Sequence, residues 1–363
     1  MSDPAQTKPD AGGQSGPETP TFIRACRRET TTHTPIWLMR QAGRYLPEYR
    51  AVRQKADFLT MCHTPELACE VTLQPIDILG VDAAILFSDL LIPLEPMGAT
   101  VKFPEGGPEI EGGVVVPSDV DKLRTPPAIE TLDYVAKACR LITAALPKHV
   151  PLIGFAGAPF TLASYLIEGG GSKTFQKTKA FLHQHPAEAE RLFEKLVTMV
   201  ADFLNMQIDA GCRAVQIFDS WAGCLDPEDY ERWGTRYTRR LVQAVRRPGV
   251  PVIVFAKGTG TYFDRVAATG ADVLGVDWTL SMDSARALVG PDFALQGNLD
   301  PLRLLGPWEQ VKAATDRILD RAGPSAHIFN LGHGLVPQTP VDTVKRLVAH
   351  VQQASAERRR TEV

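Results

Sequence analysis

The sequence predicts a single (β/α)8 barrel of the TIM type, with loops inserted at the carboxyl-terminal face of its sheet. Eight short apolar or β-branched runs recur along the chain, and longer helical patterns separate most of them. The runs are apolar on both faces, which is typical of parallel strands that are covered by helices on each side. Eight such units within roughly 340 residues are what a TIM barrel requires.

The predicted strands are separated by helices and by one hairpin. The strands cover residues 35–39, 82–87, 152–157, 214–220, 252–258, 273–278, 294–300 and 327–334. Amphipathic helices are predicted over residues 187–211 and 340–354. Residues 98–116 are predicted to form a hairpin inserted into a βα connection. An open doubly wound sheet is the alternative fold, but no G-x-G-x-x-G motif follows the first strand.

The composition narrows the class of protein. The chain has 363 residues, and its formal net charge of −3 argues against a general nucleic-acid-binding protein. Its six cysteines form no C-x-x-C pair, which fits a reducing compartment. No apolar run is as long as the roughly 20 residues that a membrane-spanning helix needs. We therefore expect a cytoplasmic protein without nucleic-acid or membrane partners.

Three segments are predicted along the chain. Residues 1–20 lack the basic and apolar regions of a secretory signal and carry too little apolar surface to order themselves, so they are predicted to be a disordered tail. Residues 21–355 are predicted to form the barrel as one catalytic domain. Residues 356–363 are predicted to be a short C-terminal tail.

Polar side chains stand at the carboxyl end of every predicted strand, where the active site of such barrels lies. Each of these residues is a weak indicator alone, but together they would meet at one face of the sheet. In chain order they are Arg40 and Arg44, Asp89, Tyr165, Ser220, Lys257, Asp277, Asn298 and His333.

Arg40, Arg44 and Asp89 each have a structural alternative. The two arginines could form the solvated start of a helix, but cations at that position oppose the helix dipole, which favours a binding role. Asp89 could equally cap the helix that follows, since Asp is a strong capping residue.

The other polar residues are open to similar alternatives. Tyr165 could be half-buried packing, and Ser220 could be a turn residue. Asp219 is interpreted as the acceptor of a structural hydrogen bond and is left out of the site. His333 could be a core histidine, but the glycines on either side of it indicate a backbone held close to another group.

Several motifs are absent from the sequence. The glycine-rich runs EGGGSK and AKGTG do not fit the P-loop pattern, and FDSWAG is not the nucleophile elbow of α/β-hydrolases. His183 and His185 lie two apart on a predicted helix and point away from each other. Cys62 and His63 are adjacent, which is a poor arrangement for chelation. With no H-x-C or H-E-x-x-H spacing, no metal site is expected.

Six segments carry a resemblance to one known family. In chain order they are MRQAGRYLPEYR, FSDLLIPLEPMG, GFAGAPFTLASYLIEGGGS, QIFDSWAG, QGNLDP and FNLGHG. The chain resembles uroporphyrinogen decarboxylases over about residues 21–352, and the run M-R-Q-A-G-R-Y-L-P-E is highly specific to them. The resemblance implies a single-domain barrel, usually a homodimer, that removes CO2 stepwise from the four acetates of uroporphyrinogen III. The product would be coproporphyrinogen III for haem and related tetrapyrroles, formed without a cofactor or a metal.

The resemblance also assigns roles by position. It implies that Asp89 is the catalytic aspartate, which faces the pyrrole nitrogens. Beside Asp89, it implies substrate contacts from Arg40, Gln41, Ala42, Gly43, Arg44, Tyr165, Ser220 and His333, with the three residues between the arginines acting through their backbone. Phe160 departs from the pattern, because many relatives carry Trp there.

Decarboxylation leaves an electron pair, and a pyrrole protonated on carbon can accept it. Such a mechanism needs cations that hold the carboxylates, an anion beside the ring cation and an acid that delivers protons. The arginines and Asp89 supply the first two. The acid stays open, since His333 has a suitable ordinary pKa and a substrate carboxylate could relay a proton. Lys257 as a Schiff-base residue is less favoured, because no phosphate cradle accompanies it.

Two other functions are compatible with parts of the pattern. A zinc-dependent corrinoid or thiol methyltransferase on a related barrel would need a metal-binding thiolate, which the missing H-x-C spacing does not provide. A non-catalytic tetrapyrrole-binding protein would use the arginines but would have no use for Asp89 at a strand end.

Overall fold

The computed structural model describes residues 19–361. The tail predicted over residues 1–20 therefore lies outside the described residues, apart from Thr19 and Pro20. In the described range the main sheet has seven parallel strands, in the order β1-β4-β5-β6-β7-β8-β9, and β2 and β3 form a separate antiparallel pair. The strands are β1 (Ala84–Ile85), β2 (Thr100–Lys102), β3 (Glu109–Glu111), β4 (Leu152–Gly157), β5 (Ala214–Asp219), β6 (Val252–Ala256), β7 (Val273–Gly275), β8 (Ala294–Leu299) and β9 (His327–Leu331).

Seven of the eight predicted strands are confirmed, most of them one to four residues shorter than predicted. The eighth, at residues 35–39, forms only an isolated bridge from Ile36 to Phe329. The reason is that side chains take its backbone N–H groups: Asp82 accepts from Ile36 at 2.9 Å, Gln41 from Leu38 at 3.1 Å, and Asn330 from Met39 at 3.0 Å. A continuous ladder with a neighbouring strand cannot form under those conditions.

The segment around Ile36 still lies between the two ends of the sheet. On one side the Phe329 N–H of β9 donates to the carbonyl of Pro35 at 2.8 Å. On the other side the Asp82 N–H, just before β1, donates to the carbonyl of Ile36 at 2.8 Å. Both bonds run in the direction of sheet hydrogen bonding.

Helices cover the outer face of the sheet. They are α1 (Thr21–Cys26), α2 (Pro47–Arg53), α3 (Phe58–His63), α4 (Pro65–Leu79), α5 (Leu94–Met97), α6 (Asp119–Lys122), α7 (Ala128–Thr131), α8 (Asp133–Ala145), α9 (Pro159–Glu168), α10 (Gln176–Gln184), α11 (Pro186–Asp209), α12 (Pro227–Asp229), α13 (Arg236–Val245), α14 (Phe263–Ala267), α15 (Met282–Val289), α16 (Trp308–Ala322) and α17 (Val341–Thr361). Short 3-10 or π turns occur at Ala222–Cys224, Tyr230–Thr235, Gly260–Tyr262 and Pro301–Leu305.

The helix predicted over residues 187–211 is α11, and the one predicted over 340–354 is α17, which continues to Thr361. Residues 356–361 of the predicted C-terminal tail are therefore helical. Arg358 explains the extension, because its guanidinium binds Asp316 at 3.2 Å and Asp320 at 3.0 Å on α16. These ion pairs hold the last turns of α17 against the domain.

The core has an outer and an inner part. The larger cluster fills the space between the sheet and the helices, and a smaller one lies among the strands and includes Trp37, Ile153, Ile253 and Ile328. Helix α1 belongs to the smaller cluster through Phe22 and its neighbours. That helix precedes the first strand segment, so it covers the amino-terminal end of the sheet and leaves the carboxyl-terminal end for a ligand.

The predicted hairpin is confirmed. Strands β2 and β3 pair antiparallel, with Val101 opposite Ile110. The Ile110 N–H donates to the carbonyl of Gly169, and the Val114 N–H to that of Leu166, both at 2.9 Å. These bonds fix the end of α9, the helix that carries Tyr165, so the hairpin supports the carboxyl-terminal face of the sheet.

Candidate active site

The loop after Met39 turns sharply at Arg40. Arg40 has a φ of 62°, in the left-handed region that non-glycine residues rarely adopt. Its side chain lies across Gly334, where any Cβ would overlap the Arg40 side chain. The glycine that follows His333 is therefore required for the path of the Arg40 side chain over the strand end.

The arginine loop offers unpaired donors. Neither the Arg40 nor the Arg44 guanidinium forms a salt bridge within residues 19–361, and both side chains are exposed. The backbone N–H groups of Ala42 and Gly43 likewise have no hydrogen-bond acceptor among the described residues. One short loop thus carries two unpaired cations and two adjacent unpaired amide groups, the kinds of group that bind a carboxylate.

Gln41 has a different part in this loop. It is buried, its side-chain amide donates to the carbonyl of Ala83 at 3.1 Å, and its backbone N–H donates to the carbonyl of Leu38 at 2.9 Å. Its backbone carbonyl accepts the Tyr45 hydroxyl at 2.7 Å. Because these groups are already used, Gln41 holds the loop and has no backbone N–H left for a ligand.

Asp89 follows β1 and is half-buried. Its Oδ1 accepts the Leu91 N–H at 2.9 Å within a turn. The capping alternative is wrong, because the next helix, α5, begins at Leu94 and has no side-chain cap. Its Oδ2 has no hydrogen bond within the described part of the chain. Burial, with a smaller contribution from the Glu95 charge, raises the pKa of Asp89 to about 6, although the Leu91 N–H and the Arg40 charge act in the opposite direction. At neutral pH Asp89 is therefore mostly an anion, but it takes up a proton at a higher pH than an ordinary aspartate does.

Tyr165 points from α9 toward the same region. It is buried, and burial together with the Asp89 charge raises its pKa to about 12, while Arg40 lowers it. Its ring lies 5.7 Å from that of Trp221, which follows Ser220. Tyr165 is thus a neutral hydroxyl at physiological pH and shares its surroundings with Asp89 and Arg40.

His333 is half-buried beside the Phe255 ring, at 6.5 Å between centroids. Burial, together with the nearby charges of Arg40 and Lys257, lowers its pKa to about 4, and the Asp277 charge only partly opposes this. A cation at this position is disfavoured by two other cations. In the free protein at pH 7 His333 is therefore a neutral imidazole, and its ordinary pKa is no guide to its role.

Arg40 connects these groups, because its charge acts on the pKa of Asp89, of Tyr165 and of His333. Four residues from four separate strand ends therefore share one electrostatic environment. Ser220 is half-buried at the end of β5, and its hydroxyl has no partner among residues 19–361.

Two further strand-end residues are used by the fold. Asp277 accepts the N–H groups of Thr279 at 2.7 Å and of Gly258 at 2.5 Å. Asn298 donates to the carbonyls of Asp277 and Leu280. Since their polar atoms are satisfied internally, these residues shape the loops around the site.

Sequence comparison now decides the family. The family described as Uroporphyrinogen decarboxylase (URO-D) matches residues 17–354. The chain belongs to the uroporphyrinogen decarboxylase family. A uroporphyrinogen decarboxylase from Myxococcus xanthus is 52% identical over 330 residues, which are 91% of this chain and 95% of that protein. One from Geobacter metallireducens is 49% identical over 335 residues, 92% of this chain and 98% of that protein.

Solved structures share the fold of this uroporphyrinogen decarboxylase family member. A methyltransferase from Methanosarcina mazei superimposes with a TM-score of 0.78 at 19% identity, covering 92% of this chain and 98% of that one. A B12-independent methionine synthase from Shewanella gives a TM-score of 0.56 at 10% identity, over 82% and 88% of the two chains. At such low identity the likeness concerns the fold alone.

The methyltransferase alternative needs a metal site. Within residues 19–361 no three His, Cys, Asp or Glu side chains lie close enough together to hold a metal ion.

None of the helices in the described range, residues 19–361, is long and apolar enough to cross a membrane.

Phe160, which departs from the pattern that the resemblance implies, is fully buried on α9. It packs in the outer core. Sequence reasoning missed Trp221, which packs against Tyr165. The signal available was its position directly after Ser220 in FDSWAG.

Proposed function

We propose that this protein is a carboxy-lyase that removes CO2 from the four acetate side chains of uroporphyrinogen III and releases coproporphyrinogen III. The observation that carries the proposal is the unpaired guanidinium of Arg40, whose charge acts on the half-buried carboxylate of Asp89 at one end of the sheet. The unpaired Arg44 lies on the same loop as Arg40. The family membership supports the same substrate.

In this proposal the arginine loop holds the substrate. Arg40 and Arg44 bind carboxylates of the tetrapyrrole, and the free N–H groups of Ala42 and Gly43 add hydrogen bonds. Charge-assisted bonds of this kind are roughly twice as strong as neutral ones. Gln41 acts through the position it gives the loop.

Asp89 is the proposed catalytic residue. Protonation of a pyrrole carbon makes the ring a cation. The C–CO2 bond of the neighbouring acetate then breaks, CO2 leaves, and the electron pair neutralises the ring and forms an exocyclic methylene. Protonation of that methylene and loss of the proton from the ring carbon leave a methyl group. Asp89, through its free Oδ2, faces the pyrrole nitrogens and stabilises that cation. At a separation of about 4 Å and an effective dielectric near 20, an opposite charge contributes roughly 4 kcal/mol.

Tyr165, Ser220 and His333 are proposed as further substrate contacts. Each presents a neutral polar group, which can hydrogen-bond a carboxylate or a pyrrole without adding charge. His333 does not deliver the proton in its resting form, because its pKa of about 4 leaves it neutral at pH 7. No residue of this site requires a cofactor for these steps.

We also propose that the sheet closes into an eight-membered barrel, with residues 35–38 as the eighth member, and that residues 21–355 form one catalytic domain. The bonds of Pro35 to Phe329 and of Ile36 to Asp82 support closure. A cytoplasmic homodimer is proposed from the family and from the composition. Sedimentation of the purified protein tests the dimer.

Anaerobic incubation with uroporphyrinogen III, followed by chromatography of the oxidised products, tests the function. We expect hepta-, hexa-, penta- and tetracarboxylate porphyrins to appear in turn, in protein treated with a chelator as well as in untreated protein. Binding without any decarboxylated product would instead indicate a tetrapyrrole-binding protein.

A further inference from the structure

One buried carboxylate has no part in the mechanism above. Asp219 is the last residue of β5, and its side chain has no exposed surface. Its Oδ1 accepts the Thr161 hydroxyl at 2.7 Å, whereas its Oδ2 has no partner within the described residues. A buried acidic group of this kind is costly, since burial penalises its charge. Because Asp219 directly precedes Ser220, a role in the site would account for this cost.

Thr161 indicates such a role, because its side chain connects helix α9 to the end of strand β5. It lies in the first turn of α9, and Tyr165 is four residues further along the same helix, on the same face. The Thr161 Oγ1 donates to Asp219 and also accepts the Trp221 N–H at 3.3 Å. One hydroxyl therefore connects the start of α9 to the residues on both sides of Ser220.

Aromatic packing continues this connection into the site. The Trp221 ring lies 5.7 Å from that of Tyr165 and 5.2 Å from that of Phe175. At the backbone, the Ala158 N–H donates to the carbonyl of Phe218 at 2.8 Å, so β4 and β5 are also tied just before the two loops separate. Beyond that point the Asp219–Thr161 bond is the shortest of these side-chain contacts between the loops, at 2.7 Å.

We propose that Asp219 is a positioning residue, which through Thr161 fixes the Ser220 hydroxyl and the Tyr165 hydroxyl relative to each other at the substrate. This inference rests on the proposed function, because it explains how the two proposed substrate contacts, Ser220 and Tyr165, are held in position. A misplacement of about 1 Å at a site can cost on the order of a hundredfold in rate.

The surroundings of Asp219 keep it neutral over part of the physiological range. Burial raises its pKa to about 7, and the Thr161 hydrogen bond only partly opposes this. The titratable groups that face it are Tyr230, Tyr262 and Cys224, whose pKa values are all raised by burial, to about 12 for the last two. All three are therefore uncharged near pH 7, and none offers a counter-charge to the Asp219 carboxylate.

The charge state of Asp219 affects the binding of a substrate that carries many carboxylates. Below pH 7 Asp219 holds the Thr161 bond without adding a negative charge behind Ser220. Above pH 7 the same bond persists, but an uncompensated anion then lies close to an anionic substrate. We expect kcat/KM, which reports the groups of the free enzyme, to fall by on the order of tenfold as pH rises from 6.5 to 8.5.

Substitution of Thr161 tests the positioning role. Thr161→Val keeps the shape and removes the hydroxyl, and we expect kcat/KM to fall about tenfold or more. Thr161→Ser keeps the hydroxyl and should stay within about threefold of the parent. The matched control is Thr315→Val, which removes an equally buried hydroxyl from α16, where it bonds only the Val311 carbonyl at 2.9 Å. That control should keep full activity.

Substitution of Asp219 tests the charge. Asp219→Asn retains an oxygen for Thr161 and cannot ionise, so the fall in kcat/KM above pH 7 should disappear while the acid side of the profile is kept. A merely structural role would not move the pH profile. Thermal melting of each variant shows whether it is folded.

Three results would overturn the inference: full activity of Thr161→Val, a Thr161→Ser variant as poor as the valine one, or an unchanged alkaline fall in Asp219→Asn. A parent protein that decarboxylates no uroporphyrinogen at any pH would instead refute the proposed function. The two failures are therefore distinguishable in the same set of assays.

Discussion

Asp89→Asn is the sharpest test of the site, because it changes charge and little else. Asparagine has the same shape as aspartate, and its amide oxygen can still accept the Leu91 N–H, which Oδ1 of Asp89 accepts at 2.9 Å. At the position of the free Oδ2, by contrast, asparagine carries an NH2 group, and its neutral side chain cannot balance the charge of a ring cation. The fold around β1 should therefore persist while the counter-charge disappears.

The expected loss of activity follows from the Coulomb energy of the missing charge. Roughly 4 kcal/mol at about 4 Å and an effective dielectric near 20 corresponds to about a thousandfold in turnover, since about 1.4 kcal/mol is tenfold. Single-turnover decarboxylation of uroporphyrinogen under anaerobic conditions, followed by chromatography, measures it.

The stability of the same variant should change in the opposite direction. The pKa of Asp89 is raised from its ordinary 3.8 to about 6, and a shift of about two units corresponds to about 3 kcal/mol. Because the folded protein holds this proton more tightly than the unfolded chain, stability is lost as pH rises from about 4 through 6. Asp89→Asn avoids that loss, so it should be more stable than the parent at pH 7 and no more stable below pH 4.

A matched control comes from the opposite end of the same strand. Asp82 precedes β1, is also half-buried, and binds His33 and the Ile36 N–H, each at 2.9 Å. Asp82→Asn should keep turnover within about threefold. The reasoning about Asp89 is refuted if Asp89→Asn turns over within about tenfold of the parent, and its electrostatic part fails if denaturant titration at pH 7 shows no gain in stability.

Three further predictions concern the neighbours of these groups. Glu95→Gln removes a charge that raises the pKa of Asp89, so the acid side of the kcat/KM profile should move to lower pH; an unmoved profile would contradict this cause. Gly334→Ala places a Cβ against the Arg40 side chain and should lower kcat/KM about tenfold with little change in melting temperature, whereas parental activity would show that Arg40 need not lie there. His333→Gln should remove no ionisation between pH 5 and 8 from the profile, because the pKa of His333 is about 4; the loss of such an ionisation would show that the imidazole titrates in the working range.

The fold was largely predictable, because strand and helix patterns are local. The runs at residues 152–157 and 294–300 are apolar over a length that suits a buried strand, and both form strands. The run at 35–39 is just as apolar, yet it forms one bridge. Its N–H groups are taken by the side chains of Asp82, Gln41 and Asn330, and Asp82 and Asn330 come from distant parts of the sequence. No local pattern contains that competition.

The site was predictable in position and less so in chemistry. Strand order alone sends Arg40, Asp89 and His333 to one face of a parallel sheet. The sequence did not indicate that His333 is neutral, because its pKa depends on burial and on two cations from other strands. Asp219 accepts the structural hydrogen bond predicted for it, but the sequence did not indicate that the donor, Thr161, lies on the helix of Tyr165.

The sequence by itself determined the alternation of strands and helices, the family through the run from Met39 to Glu48, and the identity of the charged groups at the strand ends. These are properties of residue type and spacing, which are present before the chain folds. The tertiary structure alone decided which guanidinium groups stay unpaired, how far each pKa moves, and which hydroxyl joins α9 to β5. Those properties arise from distances and loss of water between segments far apart in the chain, and they exist only once the strands have brought their ends together.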